Sequence, residues 1–292
     1  MSRSLRKPNF FIVGAPKSGT TTLYRWLSEH PEIYMSPKKE PFYFDFDDRA
    51  RSPLTLKQYE ALFSGACEDH VIVGEASTRY LQSAIAVSEI LKYSPGARFM
   101  VMLRNPVDMA YSLHGQAVLS GGEPVVDFKE AWDLQVVRST GKSLPKDCRE
   151  PRRFQYGEVC KVGDQLERLY SVVPKNRVHV VFLDDLRGNP GGEYLALLGF
   201  LGLSGDGRSD FPIYNSARRV RFYRLQRLMK IVGDIKIALG ITWRPGLSRF
   251  NSETRRRPAM SAEMRSLLQL YFAEQIEKIE SLTNRDLSVW RD

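Results

Sequence analysis

Short apolar runs alternate with segments of helical periodicity along this chain. Phe10–Val13 (FFIV) is uninterrupted apolar sequence and ends in a Gly-rich turn. In Thr20–Ser28, Leu23, Trp26 and Leu27 recur at i, i+3 and i+4, the spacing of one helix face. His30-Pro31 closes that helix, because proline and the residue before it resist helical backbone. Tyr59, Leu62 and Phe63 mark a short helix, Val71–Val73 reads as strand, and Val87, Ile90 and Leu91 sit on a helix that stops near Pro95-Gly96. Phe99–Leu103 (FMVML) reads as a buried strand, and Val107 to about Leu119 as helix. Val159, Val162, Leu166, Leu169, Tyr170 and Val173 predict one amphipathic helix. Val178–Leu183 is a further buried strand, with a helix around Tyr194–Leu201. Met264, Leu267, Leu268, Tyr271, Ile276 and Ile279 define a long C-terminal helix.

Strands that alternate with helices of this length need crossover connections and build a parallel sheet. Continuous apolar strands fit a sheet covered on both faces. The expected fold is therefore α/β: three layers, with a central parallel sheet flanked by helices. Two polar, basic, Pro-containing stretches interrupt the rhythm, Gly141–Tyr156 and Thr242–Pro258, the second ending near Arg255-Arg256-Arg257. Long irregular segments in a compact domain tend to be functional. The chain reads as a single domain over residues 1–292 with long loops at about 141–156 and 242–258.

Composition narrows the function classes. With 42% hydrophobic and 26% charged residues, the 292-residue chain has an ordinary globular balance, which argues against disorder. No apolar run approaches the roughly 20 residues of a membrane helix. The apolar stretch after the basic N-terminus is too short for a secretory signal, and Cys67, Cys148 and Cys160 lack the spacing of a disulfide framework or a zinc site. A reducing cytoplasm is the expected location. Lys and Arg number 43 against 34 Asp and Glu, a net charge of +9, which points to an anionic partner without naming it.

The first strand and its loop name the anion more closely. Gly14 and Gly19 stand at the spacing of a phosphate-cradling P-loop, followed by a helix opening at Thr20. Thr20 occupies the position of the usual lysine, Thr21 keeps the hydroxyl position, and the cation has moved back to Lys17. The segment PKSGTTTL resembles the 5′-phosphosulfate loop of sulfotransferases that use 3′-phosphoadenosine 5′-phosphosulfate (PAPS), a modified P-loop. The resemblance implies a P-loop-like fold. It also implies that Lys17 contacts the bridging oxygen, and that Ser18, Gly19, Thr20 and Thr21 hold the 5′-phosphate. In RFMVMLRNPVDMAYSLHGQ, Arg104 directly follows a strand and Ser112 lies on the next helix, similar to the family's 3′-phosphate site. Arg suits that task because its fork donates two parallel hydrogen bonds. In NSETRRRPAMSAEMRSLL, Arg256 and Arg257 resemble the basic loop that closes over the 3′-phosphate in glycan sulfotransferases and bacterial relatives, and Ser261 reads as a helix N-cap. The resemblance runs from about residue 9 to 290.

Sulfuryl transfer also needs a base for the acceptor. Lys39-Glu40-Pro41-Phe42-Tyr43-Phe44 is similar to the KE-x-x-FF element of glycan-type sulfotransferases, which implies Glu40 as base. A histidine serves in the cytosolic branch, and its context is not found around His30, His70, His114 or His179. His30, before Pro31 at a helix end, reads as structural, and His179, within an apolar strand, as a satisfied core histidine. Glu75, after a strand, Arg79 and His114 are candidate substrate contacts. The expected function is transfer of a sulfuryl group from PAPS to an acceptor hydroxyl of a carbohydrate or glycolipid, with no metal required. A lipid or small-molecule alcohol is the alternative acceptor. A nucleotide kinase is disfavoured because it needs the lysine that Thr20 replaces. A non-catalytic polyanion binder would use the basic groups at Lys142–Arg153 and Arg218–Arg227. Those groups also suit an anionic membrane surface, and no nucleic-acid-binding motif accompanies them.

Overall fold

Phe10–Gly14 forms β1, the central strand of a five-stranded parallel sheet, and all five of its residues are buried. The computed structural model describes residues 6–47, 54–145, 148, 150–214, 219–220, 252–253 and 258–291. The other strands of this sheet are β2 (Ile33–Met35), β3 (Ile72–Ala76), β4 (Arg98–Leu103) and β5 (Val178–Phe182), in the order β2-β3-β1-β4-β5. Each neighbouring pair is parallel, and Phe11 stands beside Glu75 on one side and Phe99 on the other. The chain runs from β1 outward to β2 and β3, then crosses to β4 and β5. Strand order therefore reverses beside β1, and the carboxyl ends of β1 and β4 flank the crevice where open α/β sheets bind ligands.

In chain order the helices are α1 (Thr20–Ser28), α2 (Leu56–Glu60), α3 (Ala86–Tyr93), α4 (Pro106–Leu119), α5 (Phe128–Asp133), α6 (Gln135–Ser139), α7 (Tyr156–Val159), α8 (Val162–Val172), α9 (Leu183–Gly188), α10 (Pro190–Leu201) and α11 (Ala262–Thr283). The chain divides into two compact units. The first comprises Met1–Pro106, Lys161–Asn215 and Ala273–Asp292, and the second Val107–Cys160 and Ser216–Phe272.

The first unit holds the sheet. One sheet face carries Phe10, Ile12, Met100, Met102 and Val181, covered by Leu23, Trp26 and Leu27 of α1 and by Tyr194, Leu197 and Leu201 of α10. The opposite face carries an aromatic layer: Phe11 packs on Phe99 and Phe44, and Phe44 meets Tyr59, Tyr80 and Tyr93. Each large apolar side chain so buried contributes about 1.5–3 kcal/mol. In the second unit, Trp132 packs edge-on to Tyr271 and Phe272 of α11. In the same unit Arg138 makes a two-pronged ion pair with Glu123, at 2.6 and 2.9 Å, that is almost wholly buried. A two-stranded antiparallel ladder joins β6 (Arg219–Val220) to β7 (Ser252–Glu253).

Several elements differ from expectation. β2 escapes a periodicity reading because it has only three residues. β3 continues through Gly74 and Glu75 to Ala76, where the apolar run has already ended. Glu75 is thus inside the strand rather than after it. The single helix expected over 159–173 is two, α7 and α8, separated at Cys160 and Lys161. The 141–156 loop ends in a 3₁₀ turn at Pro151–Phe154. Most of the 242–258 loop lies outside the described residues, as does most of the basic stretch at 218–227. Among the described residues no helix is long and apolar enough to cross a membrane.

Candidate active site

The loop after β1 is shaped by two glycines. A Cβ at Gly14 would sit 2.7 Å from the Leu81 Cβ, and Gly19 has a φ of 89° with Leu183 close behind it. Gly19 is also the N-cap of α1. No side chain caps this helix, and its first turn carries no acid. Its N-terminus therefore presents partial positive charge that the protein's own carboxylates leave alone. Ala15 donates its N–H to the Met102 carbonyl at 2.7 Å, tying the loop to β4. Lys17 adopts a left-handed φ of 64°, which costs a non-glycine residue roughly 1 kcal/mol or more and is held by its surroundings.

Arg104 follows β4 directly, and its Nη1 donates to the Lys17 carbonyl at 3.1 Å. Neighbouring strand ends thus bring two cations together. Burial, and then the adjacent Arg104 charge, push the Lys17 ammonium below its ordinary pKa. Ser18 is completely buried, and its hydroxyl has no hydrogen-bond partner. A buried polar atom without a partner is uncommon in folded proteins and marks a place for an outside group. Two crowded cations, an uncapped helix start and an unsatisfied hydroxyl form a receptor for a compact, multiply charged anion.

Glu40 sits on a segment bound to the end of β3. Its N–H donates to the Ala76 carbonyl at 2.8 Å, and its own φ is 61°. Thr78 donates its N–H to Glu40 Oε2 at 2.9 Å, its hydroxyl lies 3.2 Å from Oε1, and the Lys39 ammonium is 2.5 Å from Oε1. Farther along, Phe42 donates its N–H to the Ser77 hydroxyl, and Tyr43 and Phe44 donate theirs to the Tyr80 hydroxyl. Residues 76–80 therefore fasten residues 40–45 almost one for one. Thr78, Ser77 and Tyr80 were not singled out from sequence. Their only signal was a polar STRY run directly after a strand.

The remaining candidates fall in different settings. Arg79 pairs with Asp45 at 3.1 Å and stacks over Phe42, so it serves the same fastening. Glu75 is fully buried in the aromatic layer and has no surface with which to meet a substrate directly. Burial, opposed by the neighbouring Tyr80 and Tyr59 hydroxyls and reinforced by Glu40 and Asp45, pushes it up to about 8. Those hydroxyls lie within reach of the carboxyl, whose two oxygens have no closer hydrogen-bond partner. His114, in the second unit, is buried against Phe128 and Tyr156, with Nε2 2.9 Å from the Val125 carbonyl. Ser112 is half-buried on α4. Arg256 and Arg257 lie outside the described residues. Ser261 caps α11 as expected, accepting from the Met264 N–H at 3.2 Å. His30 is a buried, satisfied structural residue. His179 is only partly buried and stacks on Phe200, and its Nε2 lacks a partner, so it is not the satisfied core histidine expected. Among the described residues no three His, Cys, Asp or Glu side chains converge as a metal site.

The sequence model of the sulfotransferase domain matches residues 7–280. The chain belongs to the sulfotransferase family. A crystal structure of a sulfotransferase from Alicyclobacillus acidocaldarius superposes with a TM-score of 0.73 at 26% identity, covering 98% of this chain and 100% of that one. The bifunctional heparan sulfate N-deacetylase/N-sulfotransferase 2 of Bos taurus is 25% identical over 291 residues, 96% of this chain and 30% of that protein. Human carbohydrate sulfotransferase 15 is 30% identical over 147 residues, 36% of this chain and 26% of that protein. This sulfotransferase spans less than a third of the length of these curated relatives. The five-stranded parallel sheet flanked by helices is the P-loop-like fold expected from the sequence.

Proposed function

We propose that this sulfotransferase moves the sulfuryl group of PAPS to an acceptor hydroxyl of a carbohydrate or glycolipid. The observation that carries the reading is the Lys17–Arg104 junction beside the uncapped start of α1, with the Ser18 hydroxyl buried and unsatisfied. These residues fit the phosphate groups of that donor. The donor, when bound, supplies an activated sulfuryl group and a bisphosphate leaving group. The heparan sulfate and carbohydrate relatives support a glycan acceptor.

In this reading the backbone N–H groups of Ser18, Gly19, Thr20 and Thr21 at the helix N-terminus hold the 5′-phosphate, together with the Ser18, Thr20 and Thr21 hydroxyls. Lys17 sets its ammonium against the bridging oxygen, where negative charge develops as the sulfuryl group leaves. Arg104 and Ser112 hold the 3′-phosphate, joined by Arg256 and Arg257. Glu40 takes the proton of the acceptor hydroxyl onto its carboxylate. Lys39 and Thr78 fix that carboxylate by charge-assisted hydrogen bonds, which orients it before the acceptor arrives. The spacing of Cys67, Cys148 and Cys160, which suits no disulfide framework, fits a cytoplasmic protein, and the net charge of +9 suits approach to an anionic glycan or membrane surface.

Thermal unfolding with adenosine 3′,5′-bisphosphate tests donor recognition. The nucleotide should raise Tm and MgATP should not, since only a ligand that binds the folded state stabilises it. The reverse result would favour a nucleotide kinase and overturn the reading. Incubation with ³⁵S-labelled PAPS and cell extract, followed by mass spectrometry of the labelled product, tests the acceptor. A labelled lipid or small alcohol in place of a glycan would correct the acceptor class alone.

A further inference from the structure

We infer that Glu75 is a positioning residue for Glu40, its buried carboxyl anchoring through Tyr80 the segment on which Glu40 is carried. This rests on the reading of Glu40 as the base. Tyr80 is the hinge of the argument. Its oxygen accepts the Tyr43 N–H at 2.8 Å and the Phe44 N–H at 3.3 Å, so its own proton must point elsewhere. The Glu75 carboxyl is beside it, on β3 itself and without a hydrogen-bond partner of its own. The Tyr59 hydroxyl, also buried and unpartnered, lies against the same carboxyl. A protonated Glu75 can accept from Tyr80 and donate to Tyr59, and so satisfy three buried polar groups at once. The very next residue, Ala76, supplies the carbonyl that holds the Glu40 N–H, and Thr78 holds the Glu40 carboxylate.

The charges around Glu75 favour that protonated form. Glu40 and Asp45 face it from the 40–45 segment, Tyr59 from α2, Tyr80 from the end of β3, and Tyr93 from α3. The nearby cations are already engaged, Lys39 with Glu40 and Arg79 with Asp45. Burial first, and these two carboxylates next, keep the proton on Glu75 up to about pH 8. Above that, ionised Glu75 would be a second negative charge beneath Glu40. It would repel the Glu40 carboxylate and change the hydrogen-bond pattern that fixes Tyr80.

The test combines backbone amide exchange at Tyr43 and Phe44 with release of sulfate from PAPS, using water as acceptor. Both are followed from about pH 6.5 to about pH 9.5, with exchange corrected for its intrinsic base catalysis. The wild type should show a transition near pH 8 in both. Glu75→Gln, which keeps an acceptor for Tyr80 and a donor for Tyr59 but cannot ionise, should match the wild type within about twofold near neutral pH and show no transition. Glu75→Leu and Tyr80→Phe should each speed exchange at Tyr43 and Phe44 by about tenfold or more while affinity for adenosine 3′,5′-bisphosphate stays unchanged. If Glu75→Leu does not fold, Tyr80→Phe and the Gln profile decide the matter. A transition retained in Glu75→Gln, or unaltered exchange in Tyr80→Phe, would overturn the inference. Failure of the wild type to bind the bisphosphate would instead overturn the reading of the donor site. If sulfate release is too slow to measure, amide exchange alone decides.

Discussion

Arg104 Nη1 and the Lys17 carbonyl oxygen lie 3.1 Å apart, so the residue that follows β4 grips the loop that follows β1. The two positions are 87 residues apart in sequence and meet because β1 and β4 are hydrogen-bonded neighbours. Their proposed tasks differ, and so should their variants. Lys17→Ala removes charge from the point where it develops in the transition state, and should lower kcat by about 10²–10³-fold with little change in donor affinity. Arg104→Ala removes charge-assisted contacts of about 1.5–3 kcal/mol, and should weaken adenosine 3′,5′-bisphosphate binding by about ten- to a hundredfold in calorimetric titration. Equal effects of both variants on donor affinity alone would show that Lys17 does not act in the chemical step.

Glu40→Gln keeps the shape of the side chain and its bonds to Thr78 while removing the capacity to take a proton. With an alcohol acceptor, kcat should fall by about 10²–10⁴-fold and donor affinity should hold. Thr78→Ala should fall between this variant and the wild type, because it loosens the carboxylate without removing it. Undiminished turnover by Glu40→Gln would require another base.

The cofactor loop and much of the sheet could be read in the sequence, because both are local signals. A continuous apolar run such as Phe99–Leu103 states its own burial, and the loop from Gly14 to Thr21 carries its chemistry within eight residues. What could not be read depends on pairing across the fold. Read locally, Glu75 follows a strand because Val73 ends the apolar run, yet the ladder to Phe11 and Ile12 continues through it to Ala76. Thr78 and Tyr80 are ordinary polar residues until β3 brings them beside Glu40 and Tyr43. Arg79 looked available for an anionic substrate, and only the fold shows Asp45 already beside it.

Glu123 and Arg138 make a different kind of prediction, about stability. Burial would raise the Glu123 pKa, but the Arg138 guanidinium, the Tyr156 hydroxyl and the Val125 N–H together hold it below the usual carboxylate range. Removing one partner strands the other charge in the interior. Arg138→Met should therefore destabilise the protein by about 3–5 kcal/mol. Changing both residues to apolar ones of similar size should recover most of that loss. Chemical denaturation of the two single variants and the double variant gives the coupling directly, and additive losses would argue against a dedicated pair.

Glu75 should also leave a signature in the pH dependence of folding. Its pKa rises from an ordinary 4.5 to about 8 in the folded chain. Between those values the folded state keeps a proton that the unfolded state has released. Stability must therefore fall as pH rises through this window, by at most about 1.4 kcal/mol per pH unit from this one group. Below the window both states are protonated, and above it both are ionised, so the contribution to the slope vanishes at either side. Glu75→Gln has no proton to lose and should lack the slope, growing steadily more stable than the wild type from about pH 5 to about pH 8. Urea unfolding of the two proteins at intervals across that range measures the difference. Parallel stability curves would mean that Glu75 is ionised in the folded protein, and the anchoring role drawn for its protonated form would fall with that result.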